Sequence, residues 1–168
     1  ICLDKIGFNN NASEVIKSDY FRYYILEKHG GVWSDFDIIY TGSIEEKMNF
    51  KENSVIFNCI TYQFPKNKEN GYKYIYYPIG FFISKPNSKF FKYIKQKCIE
   101  NYDPAEYQSI GAVMFGKLFP ELKDVYKIDN LKICDEMYYL PWAWNELYEF
   151  YDKEYLNNKL PNNNIGIH

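Results

Sequence analysis

The sequence predicts an alternating α/β domain. A helix-period stripe over residues 11–29 is closed by a glycine pair, and a β-branched, aromatic run follows at residues 32–40. Strand-like and helix-like segments then alternate downstream. At 168 residues, 46% hydrophobic and 25% charged, the chain has the length and composition of one globular domain, 1–168, with a sizeable core.

The first helix is the clearest element. Asn11 offers a cap, with Glu14 three residues later as in a capping box, and Gly30-Gly31 stops the helix. Its inward stripe runs Ala12, Val15 or Ile16, Asp19, Tyr23 and Leu26. Asp19 is thus a carboxylate on an otherwise apolar face. The following strand, residues 32–40, ends at the turn signal Thr41-Gly42-Ser43. Further strands are expected at residues 54–60, 72–77 and 80–84, the last stopped by Lys85-Pro86-Asn87, with helices over 88–99 and 106–118. Gly111 and Pro120 mark irregularities in the latter region. The segment 138–144, Tyr-Tyr-Leu-Pro-Trp-Ala-Trp, resists assignment, and Asp135-Glu136 reads as a solvated turn.

Charge and cysteine usage narrow the function classes. A formal net charge of −2, with dispersed lysines, gives no positive field for nucleic acid. Cys2, Cys59, Cys98 and Cys134 lie too far apart for a zinc motif and read as reduced thiols, with two long-range bridges as the alternative. No apolar run reaches the ~20 residues that span a bilayer, and no signal peptide opens the chain. A soluble domain is expected, cytoplasmic in the first reading, with the lumenal domain of a membrane-anchored enzyme as the alternative. Both ends look cut, since Ile1 opens the chain and Ile165-Gly166-Ile167-His168 reads as a strand just beginning. Eighteen tyrosines and thirteen phenylalanines read mainly as core packing.

The chemistry lies between Asp19 and Asp37. On an extended strand, residues two apart share a face, so Asp35 and Asp37 project together roughly 7 Å apart with Phe36 opposite. No Lys, Arg or His occurs between Gly30 and Glu46. Two such charges either cap a strand end in water or bind a divalent cation that in turn holds a phosphate. Arg22 is the single arginine among twenty basic Lys and Arg residues. Its guanidinium, three residues from Asp19, suits bidentate recognition of sugar hydroxyls, carboxylates or phosphates, or else makes an i,i+3 helix pair.

Ser18-Asp19 with Arg22, Lys28-His29-Gly30-Gly31, Trp33 and Asp35-Phe36-Asp37 together resemble the sugar-binding region of DXD-containing glycosyltransferases grouped with family 32, which are related to the glucosylating bacterial toxins. The resemblance is specific over about twenty residues, and weaker but collinear beyond them. It implies a GT-A-like fold with a mixed sheet flanked by helices, of which the chain covers the central part. It also implies metal-dependent transfer of a sugar from a nucleotide-sugar donor, of UDP-hexose or GDP-mannose type, to a saccharide or other hydroxyl acceptor, with retention of configuration. In that scheme Asp35 and Asp37 bind Mn or Mg, and Asp19 and Arg22 hold the donor sugar. Ser18, Trp33 and Ser34 complete the donor side; Trp33 replaces the usual Tyr.

Ser109 and Gly111 fall at the family's acceptor-side turn, where Ala112 replaces its Pro. The segment 165–168 resembles the start of a closing His-Trp strand whose His168 completes the metal site. Two alternatives stand beside this reading. One is a phosphatase of the haloacid-dehalogenase type using Asp35 and Asp37, which leaves the Asp19-Arg22 helix unexplained. The other is an inactive, carbohydrate-binding relative. Oligomeric state is left open.

Overall fold

The computed structural model describes residues 3–47, 55–60, 75–129, 131–135 and 164–168. After a short 3-10 turn at Leu3–Ile6, helix α1 spans Glu14–His29. Its cap is Ser13, not Asn11: Ser13 is extended and its Oγ accepts the Ile16 N–H at 3.4 Å. The Asn11 N–H instead donates to Asn9 Oδ1, two residues back, at 2.8 Å. Glu14 therefore occupies the first helical position, where an acid favours the N-terminal dipole, and it pairs with Lys17.

The buried face of α1 carries Ile16, Asp19, Tyr20, Arg22, Tyr23 and Leu26, while Val15 is exposed. Asp19, foreseen on the apolar stripe, is thus inside the protein, and Arg22 is buried with it. Helix α3, Lys89–Asn101, is capped by Ser88 and packs against α1. Between helices and sheet lies an aromatic core: Tyr23, Phe82, Phe90, Phe91, Phe115 and Phe119 are all buried, with neighbouring ring centroids 5.3–6.3 Å apart. Edge and offset contacts of this kind add to area burial. The aromatic richness of this part of the chain is accounted for by packing.

Strand β1, Gly31–Ser34, runs antiparallel to the wholly buried β5, Phe81–Ser84, pairing Gly31 with Ser84 and Ser34 with Phe81. Beyond β5 lie β3, Val55–Ile60, and β4, Ile75–Tyr76, both in antiparallel pairings. Strand β6, Lys132–Asp135, joins β3 in parallel and was not foreseen; the solvated turn expected at Asp135 is the end of this strand. Four residues bounded by Lys and Asp carry too little alternation to announce a strand. The sheet is mixed, flanked by helices, and the domain is α/β.

The strand expected over residues 32–40 is broken. Strand β1 stops at Ser34, the chain turns through Asp35-Phe36-Asp37, and β2, Ile39–Tyr40, leaves to form a separate antiparallel ribbon with β7, Gly166–Ile167. The Asp35 N–H still donates to Gly80 O at 2.8 Å, but its carbonyl accepts the Ile38 N–H at 3.4 Å, closing a turn. Aspartate tolerates such turns better than a strand interior. Phe36 consequently points fully into solvent rather than packing on the far side of a sheet.

The helix expected over 106–118 is shortened to α4, Ala112–Leu118, after the short α2, Ile44–Lys47. Successive turns occupy residues 103–111, with Gln108 at φ 57° and the Asp103 N–H donating to Ser109 Oγ at 3.2 Å. A final helix, α5, covers Leu122–Tyr126. Residues 138–144, Cys2 and the beginnings of the strands expected at 54–60 and 72–77 lie outside the described residues. The side chains of Cys98 and Cys134 are buried. No described helix is long and apolar enough to cross a membrane.

The junction between α1 and β1 depends on Gly30. Its φ is 66°, its N–H donates to Leu26 O at 3.1 Å, and a Cβ there would lie 2.6 Å from both Ser84 O and Pro86 N. Gly30→Ala therefore meets backbone strain and a backbone clash together. The expected loss is at least about 2 kcal/mol of unfolding free energy, read from urea midpoints at 25 °C.

Candidate active site

Helix α1 places Asp19 and Arg22 one turn apart on its inner face, both nearly inaccessible at 2% and 6% relative exposure. Arg22 Nη2 lies 2.8 Å from Asp19 Oδ1. Its Nη1 donates to the Ile79 carbonyl and stands 3.4 Å from Asp35 Oδ1, while the guanidinium carbon sits 5.0 Å from the Trp33 ring centroid. Trp33 Nε1–H donates to the same Asp35 Oδ1 at 2.8 Å. A single buried cation thus links α1, the Ile79 carbonyl two residues ahead of β5, and the first aspartate of the turn.

The β1–β2 turn places Asp35 partly in solvent and leaves Asp37 with 75% of its side chain exposed. Strand β7 then delivers a third group. Pairing of Ile39 with Ile167 sets His168 opposite the turn, where its Nε2 is 3.1 Å from Asp37 Oδ1. Asn164 steadies the approach, accepting from Thr41 Oγ1 and donating to Gly166 O, each at 2.7 Å. One oxygen from each of Asp35 and Asp37 and one nitrogen of His168 lie within 4.8 Å of one another. The basic neighbours absent from the local sequence are supplied from afar, Arg22 by the helix and His168 by the ribbon.

Two buried atoms of the ion pair, Asp19 Oδ2 and Arg22 Nε, have no hydrogen-bond partner among the described residues. Asp19 Oδ2 faces Gly111, whose Cβ, if present, would be 3.1 Å away. Buried carboxylate oxygens are seldom left without a hydrogen-bond donor, which sets Asp19 apart from the other described acids. Burial raises the Asp19 pKa from its ordinary 3.8 to about 6; Arg22 opposes the rise and Asp35 adds to it. Burial also holds the Tyr23 phenol well above its usual value, and its hydroxyl donates to Ile110 O at 3.2 Å.

The remaining expected residues fall differently. Ser18 is half-buried on α1, and Ser34 Oγ donates to Asp35 O at 3.0 Å. Gly111 reaches the site through Asp19, whereas the Ser109 hydroxyl is engaged by Asp103 within the 103–111 turns. Ile79 and Gly80 were missed: their two carbonyls hold Arg22 and the Asp35 N–H. The one sequence signal was a glycine set directly before an apolar strand.

Fold and site together define an α/β protein that gathers three acids, a guanidinium and an imidazole where its main sheet gives way to a two-stranded ribbon. Residues 7–165 match the family model described as capsular polysaccharide synthesis protein, and the chain belongs to that family. No match is found among curated proteins or among solved structures. Family membership associates the chain with polysaccharide synthesis and, in general terms, with a transferase role acting on sugar substrates.

The Asp19 carboxyl sets a pH dependence of stability. The folded chain takes up its proton near pH 6 and the unfolded chain near its ordinary 3.8, so the folded state binds more protons between these values. Stability must fall as pH rises through that window and level off above it, by an amount on the order of 2–3 kcal/mol. Urea midpoints measured from pH 4 to 7 should show this slope in the parent protein, and Asp19→Asn should flatten it.

Proposed function

We propose that the protein is a metal-dependent glycosyltransferase of polysaccharide synthesis, moving a sugar from a nucleotide-sugar donor to a saccharide or other hydroxyl acceptor with retention of configuration. The observation that carries this reading is the convergence of Asp35, Asp37 and His168 next to the buried Asp19–Arg22 pair, joined to it through the Arg22–Asp35 contact. Membership of a polysaccharide-synthesis family supports it, as does the resemblance of residues 18–39 to family 32 transferases with a GT-A-like fold.

The donor set fits a hard divalent ion such as Mn or Mg. Two carboxylates and an imidazole close enough to share one ion are suitable ligands, and Asp37 and Asp35 retain the exposure that a partly hydrated ion needs. Bound at Asp35, Asp37 and His168, such an ion would neutralise the charge developing on a departing nucleoside diphosphate. Trp33 and Arg22 fix the Asp35 carboxylate so that little reorganisation is required. Asp19 Oδ2 accepts a hydrogen bond from a hydroxyl of the donor sugar, and Arg22 keeps Asp19 in place through Oδ1. Held at its hydroxyls, the sugar presents one face to the acceptor hydroxyl.

Calorimetric titration of a nucleotide-sugar panel with Mn tests the reading, with heat of binding or donor hydrolysis expected for one donor class; silence across the panel from the full-length protein would sink it. In Asp37→Asn, Mn-dependent donor turnover should drop at least a hundredfold while the thermal midpoint stays within a few degrees, because the side chain is exposed. Undiminished turnover would show that the carboxylate is not a ligand.

Arg22→Lys addresses the sugar side. An ammonium cannot serve Asp19, Ile79 O and Asp35 together as the planar guanidinium does. Turnover should fall more than nucleotide affinity, and equal losses in kcat and donor binding would count against a role at the sugar.

A further inference from the structure

Gly80 stands at the start of β5 with its Cα toward the ligand cluster. A Cβ built on it would lie 3.1 Å from Asp35 Oδ2 and 3.1 Å from His168 Cε1. Backbone conformation does not explain the glycine, because the positive-φ glycines are Gly7, Gly30 and Gly31, and Gly80 is not among them. Space does explain it. The Asp35 carboxylate cannot retreat freely, since Oδ1 is held by Trp33 Nε1–H at 2.8 Å and lies near Arg22, while the Asp35 N–H is fixed on the carbonyl of Gly80 itself at 2.8 Å. A methyl group at this position would displace the Asp35 carboxylate or the His168 ring by a few tenths of an ångström.

We propose that Gly80 is a positioning residue for the Asp35-Asp37-His168 set: the absence of its side chain lets the aspartate and the imidazole, brought from β1 and β7, approach closely enough to share one cation. Its carbonyl fixes Asp35 by hydrogen bonding, and its bare Cα provides the clearance that a third ligand from the ribbon requires. The preceding carbonyl, of Ile79, holds Arg22, so one dipeptide sets both halves of the site. The inference rests on the metal reading given under Proposed function, but its steric part is visible without any ion.

The test is Gly80→Ala, compared with the parent protein and with Gly116→Ala, a control whose added Cβ meets nothing closer than 3.6 Å. In metal-free protein, the Trp33 indole N–H and Asp35 amide resonances should shift in Gly80→Ala and stay unchanged in the control. Mn affinity by calorimetry should weaken about tenfold or more. The thermal midpoint should move by less than about 3 °C.

Unmoved Trp33 and Asp35 resonances would overturn the proposal, as would a Mn affinity equal to that of a metal-binding parent. If the parent binds no Mn, the metal reading fails, and the ligand-sharing role of Gly80 falls with it even where the resonances move; a binding parent with unmoved resonances fails the proposal alone. Should Gly80→Ala not fold, the His168→Ala background, which relieves the crowding without removing a partner of Arg22, must restore folding; failure to do so would place the crowding elsewhere and overturn the proposal.

Discussion

The buried guanidinium of Arg22 is the group around which the site is organised. Removing such a charge from water is costly, and a fold tolerates it only when hydrogen bonds and countercharge replace hydration. Asp19, the Ile79 carbonyl, Asp35 and the face of Trp33 do so from three separate elements. Deleting any one partner leaves part of the charge uncompensated, and breaking a buried pair of this kind typically costs about 3–5 kcal/mol. The arrangement is correspondingly rigid, which suits a site that must hold a carboxylate at fixed distance from its neighbours. Among the described residues it is also incomplete, since Asp19 Oδ2 and Arg22 Nε find no partner there in a place where proteins seldom leave any unmatched.

Position within the fold follows from that anchor. Strand β1 ends on the rung where Asp35 meets Gly80, and the chain then leaves the main sheet for the β2–β7 ribbon. The acids therefore occupy a seam between two sheets. A seam offers what a strand interior does not: backbone free to turn, partial solvent access for Asp37, and room for His168 to enter from a distant part of the chain. The aromatic core on the other side of β5 holds the seam's inner wall in place.

Much of this was legible in residues close together in sequence. Helical periodicity revealed α1 and its inward Asp19, the glycine pair revealed its end, and the rarity of arginine singled out Arg22. These signals work because a helix face is written within a few turns. The break at Asp35 was not legible, because Val-Trp-Ser-Asp-Phe-Asp-Ile-Ile carries strand propensity on both sides of the turn, and only pairing with Gly80 and with β7 decides where the strand stops. The first cap was misassigned for a related reason: Asn11 and Ser13 both suit an N-cap, and two residues of register separate the choices. The carbonyl of Ile79 left no trace in side-chain chemistry, and the helix over 106–118 lost its first turns to hydrogen bonds centred on Asp103 and Ser109.

His168 entered the site by resemblance, and its geometry comes entirely from long-range pairing. Between it and Asp37 in the chain lie helix α3 and four of the five strands of the main sheet, yet two residue pairs of ribbon bring them together. Closing so long a loop is entropically unfavourable until the elements within it are ordered. The full three-group cluster is thus a late event in the life of each molecule: a nascent or half-folded chain displays two neighbouring carboxylates without the imidazole. The completed constellation at this seam is reserved for chains that have finished folding.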